Sequence, residues 1–311
     1  MEMDLLRIGN LHVNFPTKAG MVRASDGVDL EIKQGESLCL VGESGCGKTI
    51  VALSIMRLLP ENAKVGGEIV FKGKNLLEIP DEEMRRIRGR EIGMIFEQPW
   101  TCLNPVFTVG DQIAEAVRVH ERCSKKEARE RALELMRMVG IPSPRRRYGQ
   151  YPHEFSGGMQ QRAMIAMALA LRPSLLIADE PTTALDVTVQ AQIVELLQDL
   201  IAGLGTSLFL ITHDLGVAAA LCRKAAVMYA GEVVEYGGLE DVFGEPRHPY
   251  TRLLLQALSD EGFHPIKGTV PELTRLPPGC RFHPRCPYAM EICRRERPEM
   301  KNGVRCWLWK G

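Results

Sequence analysis

An apolar strand that runs straight into a glycine-rich turn, and out of it into a helix, leaves few folds open. SLCLV, from Ser37 to Val41, is such a strand; GESGCGKT follows from Gly42 to Thr49, and helix-forming residues continue from Ile50 to Leu59, where Pro60 closes the run. Gly42, Gly47, Lys48 and Thr49 fit the spacing G-x-x-x-x-G-K-[ST], with Gly45 as an additional glycine inside the loop. Glycines let the backbone wrap closely, so that successive N–H groups converge on phosphate oxygens, and the positive end of the helix strengthens the field there. The loop therefore predicts a nucleotide-phosphate site, with Lys48 reaching the β and γ phosphates and the Thr49 hydroxyl on Mg2+. Glu43, Ser44, Cys46 and Ile50 complete the residues expected around the nucleotide. A thiolate at Cys46 would repel phosphate, so a neutral thiol is expected there, and its alkylation is expected to block nucleotide binding.

The rest of the chain supplies the setting for such a loop. Residues 9–40 alternate short apolar segments with turn signals at Pro16, Gly20 and Gly35, which reads as strands and hairpins. Gly66 to Leu76 reads as a strand pair and Ile92 to Phe96 as another strand. From about Phe107 to Ala170 the texture is helical, with apolar stripes at Ile113, Ala114 and Val117 and at Ala132, Leu135, Met136 and Val139. Strands at Leu175 to Ala178, Ser207 to Ile211, Ala226 to Tyr229 and Glu232 to Glu235 then alternate with helices from Val187 to Ala202 and from Leu215. Such alternation implies a largely parallel sheet covered by helices, and hence an α/β core with a helical insertion. After a looser stretch from Gly237 to Pro246, a helix from Tyr250 to Leu258 leads into a tail rich in Pro, Cys and Arg. The expected organisation is a domain over 1–240, with the helical subdomain at about 98–170 inserted in it, and an extension over 241–311.

With 311 residues, 45% of them hydrophobic, the chain can bury a large core. Its 39 basic and 39 acidic residues cancel, which gives no support to a general nucleic-acid binder. The longest uninterrupted apolar run, from Ala163 to Leu171, is far shorter than a membrane span, and MEMDLLRIGN is not a basic-then-apolar leader. A cytosolic protein that meets membranes only through partners is the expectation.

Further groups could act on a bound nucleotide. LLIA, from Leu175 to Ala178, delivers Asp179 and Glu180 at a strand's carboxyl end, where ligands sit in open α/β sheets. Asp179 would serve Mg2+, and Glu180 would orient or deprotonate the attacking water; alternatively the pair is a polar strand terminus. His213 follows another strand and could bond the γ-phosphate or the water, or be structural. Gln98 has an amide suited to Mg2+ or water, or is a polar loop residue. Phosphoryl transfer needs donors on several sides of the γ-phosphate, commonly some in trans. Ser156, Gly157 and Gly158, before the helical stretch from Gln160 to Leu171, offer a hydroxyl and amides for an anion, or form a cap and tight turn.

Taken together, GESGCGKT, Gln98, FSGGMQQR (Phe155 to Arg162), LLIADEP (Leu175 to Pro181), ALD (Ala184 to Asp186) and ITHD (Ile211 to Asp214) resemble the ordered motif series of ATP-binding cassette ATPases. The resemblance implies the nucleotide-binding fold of that family: a P-loop α/β domain, an N-terminal antiparallel β subdomain and a helical insertion. It assigns Lys48 and Thr49 to Walker A, Gln98 to the Q-loop, Ser156 to Gly158 to the signature, Asp179 and Glu180 to Walker B, Asp186 to the D-loop and His213 to the switch. Phe15 matches the aromatic that stacks on adenine. Magnesium then falls to Thr49, Gln98 and Asp179, and catalysis to Glu180, His213, Gln98 and Lys48. The family's cassettes pair head to tail, so that the signature of one closes over the phosphates of the other. Phe155, Met159 and Cys46 replace residues commoner in the family.

RHPYT (Arg247 to Thr251), the phrase YPHEFSGGMQQRAMIAMAL and the proline-cysteine tail resemble the ATP-binding subunits of dipeptide, oligopeptide and nickel importers. That resemblance implies a peripheral subunit on the cytoplasmic face of the membrane, paired with a second, identical or homologous, ATPase. Two transmembrane permeases and, indirectly, an extracytoplasmic solute-binding protein complete the complex. Trp100 and Leu103 are the expected anchors for a permease. Cys280, Cys286, Cys293 and Cys306 could enclose zinc or an iron–sulfur cluster, or stand as unliganded or oxidised thiols, with His283 as a substitute ligand or a surface neighbour; resemblance favours a structural [4Fe-4S] cluster over zinc. Peptide import powered by ATP hydrolysis is the leading reading, with nickel or oligosaccharide import as alternatives of the same family. A soluble cassette ATPase and a non-catalytic, nucleotide-regulated metal-cluster module are the readings from other classes.

Overall fold

The computed structural model describes residues 4–183, 185–258 and 266–309. In chain order the strands are β1 Asp4–Thr17, β2 Gly20–Lys33, β3 Ser37–Val41, β4 Lys64–Phe71, β5 Lys74–Asn75, β6 Ile92–Ile95, β7 Leu175–Asp179, β8 Ser207–Ile211, β9 Lys224–Tyr229 and β10 Glu232–Gly238. The helices are α1 Lys48–Ile55, α2 Asp81–Ile87, α3 Pro99–Cys102, α4 Val109–Arg118, α5 Lys125–Met138, α6 Pro144–Arg147, α7 Gly157–Ala168, α8 Val187–Leu204, α9 Leu215–Leu221, α10 Leu239–Gly244, α11 Pro249–Leu258 and α12 Glu291–Arg295. The chain forms two compact units, one of residues up to Glu78 together with those from Ile211 onward, the other Ile79–Leu210.

The first unit holds an antiparallel sheet in the order β2-β1-β4-β5. Where the sequence suggested short segments, β1 and β2 are 14-residue strands paired from Asp4 opposite Lys33 to Thr17 opposite Gly20, with register shifts that keep them continuous across Asn10, whose φ is 48°. Leu6, Ile8, Leu11 and Val13 of β1 are buried on one side, as a sheet with one wet face requires. The same unit carries β10, β9 and β3 in that order, β3 parallel to β9 with Val41 opposite Val227. Leu38, Cys39, Leu40 and Val41 are all buried, the uninterrupted apolar run of a strand covered on both faces. The α/β, P-loop architecture with an N-terminal antiparallel sheet is thus present.

The second unit carries β8, β7 and β6, with β6 parallel to β7 and Ile95 opposite Ala178. Its helices α3 to α7 make up a helical insertion, and some of their ends are written in the sequence. Thr108 caps α4 by accepting from the Asp111 N–H, and Ser124 and Glu127 form a reciprocal capping box on α5. In α5 the buried face is Ala128, Ala132, Leu133 and Met136; Leu135, counted in the sequence stripe, is only half-buried, because the helix turns Leu133 inward instead. Helix α8 runs 18 residues with a mean hydropathy of 1.2, long and apolar enough by composition alone to cross a membrane, although the sequence offers no unbroken apolar run of that length. Its buried residues are Ile193, Leu197 and Leu200, one helical stripe.

Candidate functional site

The phosphate loop is fixed by what glycine alone permits. Gly42, Gly45 and Gly47 have φ of 156°, 78° and 107°. A Cβ on Gly42 would collide with the Met228 carbonyl oxygen, and one on Gly47 with that of Ala24, so β9 and β2 press the loop from behind. A Cβ on Gly45 meets nothing within 4 Å, so glycine is needed there for backbone conformation alone. Lys48, only 7% exposed, bends back over the loop and donates from Nζ to the carbonyl oxygens of Gly42 (2.8 Å) and Glu43 (3.1 Å). Its charge thus stands over the glycine turn at the start of α1, an arrangement suited to an oxyanion. Thr49 is the second residue of α1.

Cys46 lies wholly buried beneath this loop, and burial raises its thiol pKa against the pull of Lys48. It has no exposed surface, and its raised pKa favours the neutral thiol that was expected. His213 is exposed, just beyond Thr212, whose N–H donates to the Leu40 carbonyl of β3. Asp214 caps α9 by accepting from the Val217 N–H at 3.0 Å. Phe15, half-buried, lies opposite Val22 in the first sheet.

In the other unit, the parallel pairing of β6 and β7 brings Gln98, Asp179 and Glu180 off the same edge. Gln98 is exposed, and its carbonyl accepts from the Thr101 hydroxyl at 2.8 Å, starting α3. Asp179 is 3% exposed at the end of β7. Glu180 has φ of 48°, a left-handed conformation that costs a non-glycine residue about 1 kcal/mol or more. Its carboxylate accepts from the Thr183 hydroxyl at 3.0 Å.

Ser156 caps α7, accepting from the Met159 N–H at 3.4 Å, and Ser156 and Gly157 are exposed at that helix N-terminus. A Cβ on Gly158 would strike Val189 of α8. Gln161, absent from the residues singled out by sequence, is buried and donates from Nε2 to the Pro181 carbonyl at 2.7 Å, which ties α7 to the segment after Glu180. Asp186 caps α8 through the Val189 N–H at 3.0 Å; Ala184, in the same motif, lies outside the described residues. Of the two suggested permease anchors, Trp100 is 52% exposed while Leu103 is buried core.

A model of the ABC transporter family matches residues 25–183, which hold the loop, Gln98, the Ser156 turn and the Asp179–Glu180 pair. The chain belongs to the ABC transporter family. A second model, for the C-terminal region of oligopeptide/dipeptide transporters, matches residues 234–293 of this ATPase and places it in the peptide and oligopeptide importer branch, whose ATP-binding subunits are ATPases coupled to transport. It is 52% identical to a probable peptide ABC transporter ATP-binding protein of Sinorhizobium fredii, over 97% of this chain and 94% of that one. Identity to the dipeptide transport ATP-binding protein DppD of Bacillus subtilis is 50%, over 98% and 94%. Among solved structures, a dimeric ATP-binding cassette in a post-hydrolysis state, bound to ADP and Pi, matches with a TM-score of 0.67 and 30% identity, over 75% of this chain and 98% of that one.

The cluster expected in the tail of this ATPase is not there. Among the described residues no group of three or more His, Cys, Asp or Glu side chains is arranged to hold a metal ion, and Cys280, Cys286, Cys293 and Cys306 are free, so both the [4Fe-4S] and the zinc readings are corrected. Burial pushes the Cys280 thiol up to about 12 and raises Cys286 and Cys306. His283 points Nδ1 at the Cys280 carbonyl, 2.8 Å away. The tail is held instead by packing and arginines. Phe282 sits among Tyr229, Tyr250 and His248, and Arg281, 4% exposed, bonds Asp26 and the Ala230 carbonyl. Arg297 bonds buried Glu232 at 2.7 Å, and Arg305 donates to the Val233 carbonyl at 3.1 Å.

Proposed function

We propose that this ATPase powers the import of di- or oligopeptides, working as one of two cassettes beneath two transmembrane permeases on the cytoplasmic face of the membrane, with a solute-binding protein outside. The substrate is carried by the relatives' descriptions, a probable peptide transporter and a dipeptide transporter, at 52% and 50% identity over nearly the full length. The domain plan that goes with it is a cassette over 1–240 and an importer-type extension over 241–311.

In this reading Gly42 to Ile50 cradle the phosphates of ATP, Phe15 stacks on adenine, and Lys48 leaves its two loop carbonyls to meet the β and γ oxygens. Thr49, Asp179 and Gln98 are the groups for magnesium, which when bound neutralises charge on the phosphate oxygens. The donor set fits a hard cation: a hydroxyl, an amide oxygen and a carboxylate. Glu180 orients and deprotonates the attacking water, held off a relaxed backbone by its left-handed φ of 48° and steadied by Thr183. His213 bonds the γ-phosphate or the water. Ser156, Gly157 and Gly158 meet the γ-phosphate of the partner cassette, and Asp186 orders the segment that faces it. Trp100, half-exposed beside Gln98, is the residue proposed to touch a permease.

The observation that carries the reading is the combination of a glycine-locked phosphate loop under Lys48 with a strained carboxylate at the end of an apolar parallel strand. Glu180→Gln keeps shape and removes the base. In the assembled importer it is expected to lower ATP turnover by about 100- to 10,000-fold while nucleotide binding persists and the ATP-bound pair accumulates. Turnover within threefold of the parent protein would overturn the role given to Glu180.

A further inference from the structure

One residue of the phosphate loop is gripped from the C-terminal tail. All three polar groups of Glu43 are engaged, each by a different element. Its N–H donates to the Tyr250 phenol oxygen at 3.0 Å, its carboxylate takes both arms of Arg285 at 2.7 and 3.0 Å, and its carbonyl accepts from Lys48 Nζ at 3.1 Å. Arg285 and Glu43 are 242 positions apart in the chain. The Arg285 side chain is 4% exposed and is itself braced, donating to the carbonyls of Ile266 and Lys267 and lying over the Tyr229 ring. Tyr250 is fully buried, its ring against Tyr229 at 4.6 Å and Phe282 at 5.3 Å.

Two consequences follow from this geometry. The Glu43 N–H is spent on the tail, so the loop's entry is held in one orientation by a contact from outside the loop. The Glu43 carboxylate, a negative charge at the mouth of a site for a polyanion, is matched by a buried bidentate guanidinium that cannot be replaced by water without leaving a cavity and an unpaired charge. Burial works against the Arg285 charge, and the Glu43 carboxylate more than offsets it, so the guanidinium stays charged.

The geometry points to Arg285 as a positioning residue for the nucleotide site, acting through Glu43: the tail sets the phosphate loop's affinity for ATP by neutralising and orienting its second residue. This rests on the phosphate-loop reading above, and it gives the tail a task at the nucleotide rather than only at its own fold. Loss of Arg285 leaves the Glu43 carboxylate bare beside the phosphates, whereas loss of both charges does not. A purely structural clamp has no such sign dependence.

The test uses the full-length chain and a fluorescent ATP analogue with Mg2+, comparing Lys48→Ala, Arg285→Ala, Glu43→Gln and the Arg285→Ala/Glu43→Gln double variant. Arg285→Ala is expected to weaken binding by on the order of tenfold, an effect that shrinks at high salt, and the double variant is expected to recover most of it. Glu43→Gln alone is expected to bind severalfold more tightly than the parent protein, since Arg285 is then unmatched and positive; this variant carries the test if Arg285→Ala does not fold. In the assembled importer Arg285→Ala raises KM with little change in kcat. A loss under threefold in Arg285→Ala, no recovery in the double variant, or unchanged or weaker binding by Glu43→Gln overturns the inference. Undiminished binding by Lys48→Ala would instead strike the phosphate-loop reading itself.

Discussion

Replacing Phe282 by alanine tests what holds the tail of this ATPase in place. The ring is 1% exposed, with its centroid 5.1 Å from that of Tyr229, 5.3 Å from Tyr250 and 5.9 Å from His248. Truncating a buried phenylalanine costs about 3–5 kcal/mol. Here the neighbours are rings anchored on β9 and α11, which cannot slide inward to fill the hole, and each aromatic pair adds roughly 0.5–1.5 kcal/mol beyond area. A loss of about 4 kcal/mol is the working figure, or about 6–10 °C in melting temperature for a chain of this size. Urea unfolding followed by tryptophan fluorescence reads it well, because Trp307 and Trp309 both lie in the tail and donate to the carbonyls of Glu296 and Arg247. Cys286→Ser, at a half-buried free thiol, is the companion, expected to cost under about 1 kcal/mol. A Phe282→Ala loss below about 1 kcal/mol, or a Cys286→Ser loss as large as the phenylalanine's, would refute the packing account.

Two further outcomes follow. Gly47→Ala must fit a side chain at φ 107° against the Ala24 backbone oxygen, which cannot yield; about a hundredfold loss of ATP-analogue affinity is expected, measured by equilibrium titration. His248 is buried and neutral, its Nδ1 accepting from the Tyr250 N–H, and burial lowers its pKa from 6.5 to about 3. Between those values the unfolded chain binds the extra proton, so this group's contribution to stability is intact above pH 6.5 and is lost as the pH falls toward 3. Denaturation at pH 5 should show a deficit of roughly 2 kcal/mol relative to pH 7 that His248→Gln removes; an unchanged pH profile in that variant would contradict the assignment.

What the sequence revealed and what it hid divide along physical lines. The phosphate loop, β7 with Asp179 and Glu180, and the capped helices of the insertion were legible because each is specified by neighbours in the chain: glycines at left-handed positions, an unbroken apolar strand, a Ser124–Glu127 box. The extent of β1 and β2 was not, since Pro16 read as a turn although it pairs with Met21 inside the ladder, and register shifts around Asn10 keep β1 continuous where the sequence suggested short segments. Helices α2 and α10 went unread for lack of length, at seven and six residues. The four cysteines misled because spacing says nothing of how thiols converge. Gln161 on Pro181, and Arg285 and Tyr250 on Glu43, carry no local signature, because their partners lie 20 to 242 residues away and only the fold brings them together.

The central claim is that ATP held by one cassette's loop is cut only when a second cassette's Ser156-Gly157-Gly158 turn arrives over its terminal phosphate. Specific ATPase activity of the purified chain, measured over a wide range of subunit concentration with and without the importer's other subunits, tests it most directly. Activity per subunit should rise with concentration and rise further in the assembled importer. Activity per subunit that stays constant at full speed down to concentrations where the chain is strictly monomeric would contradict it.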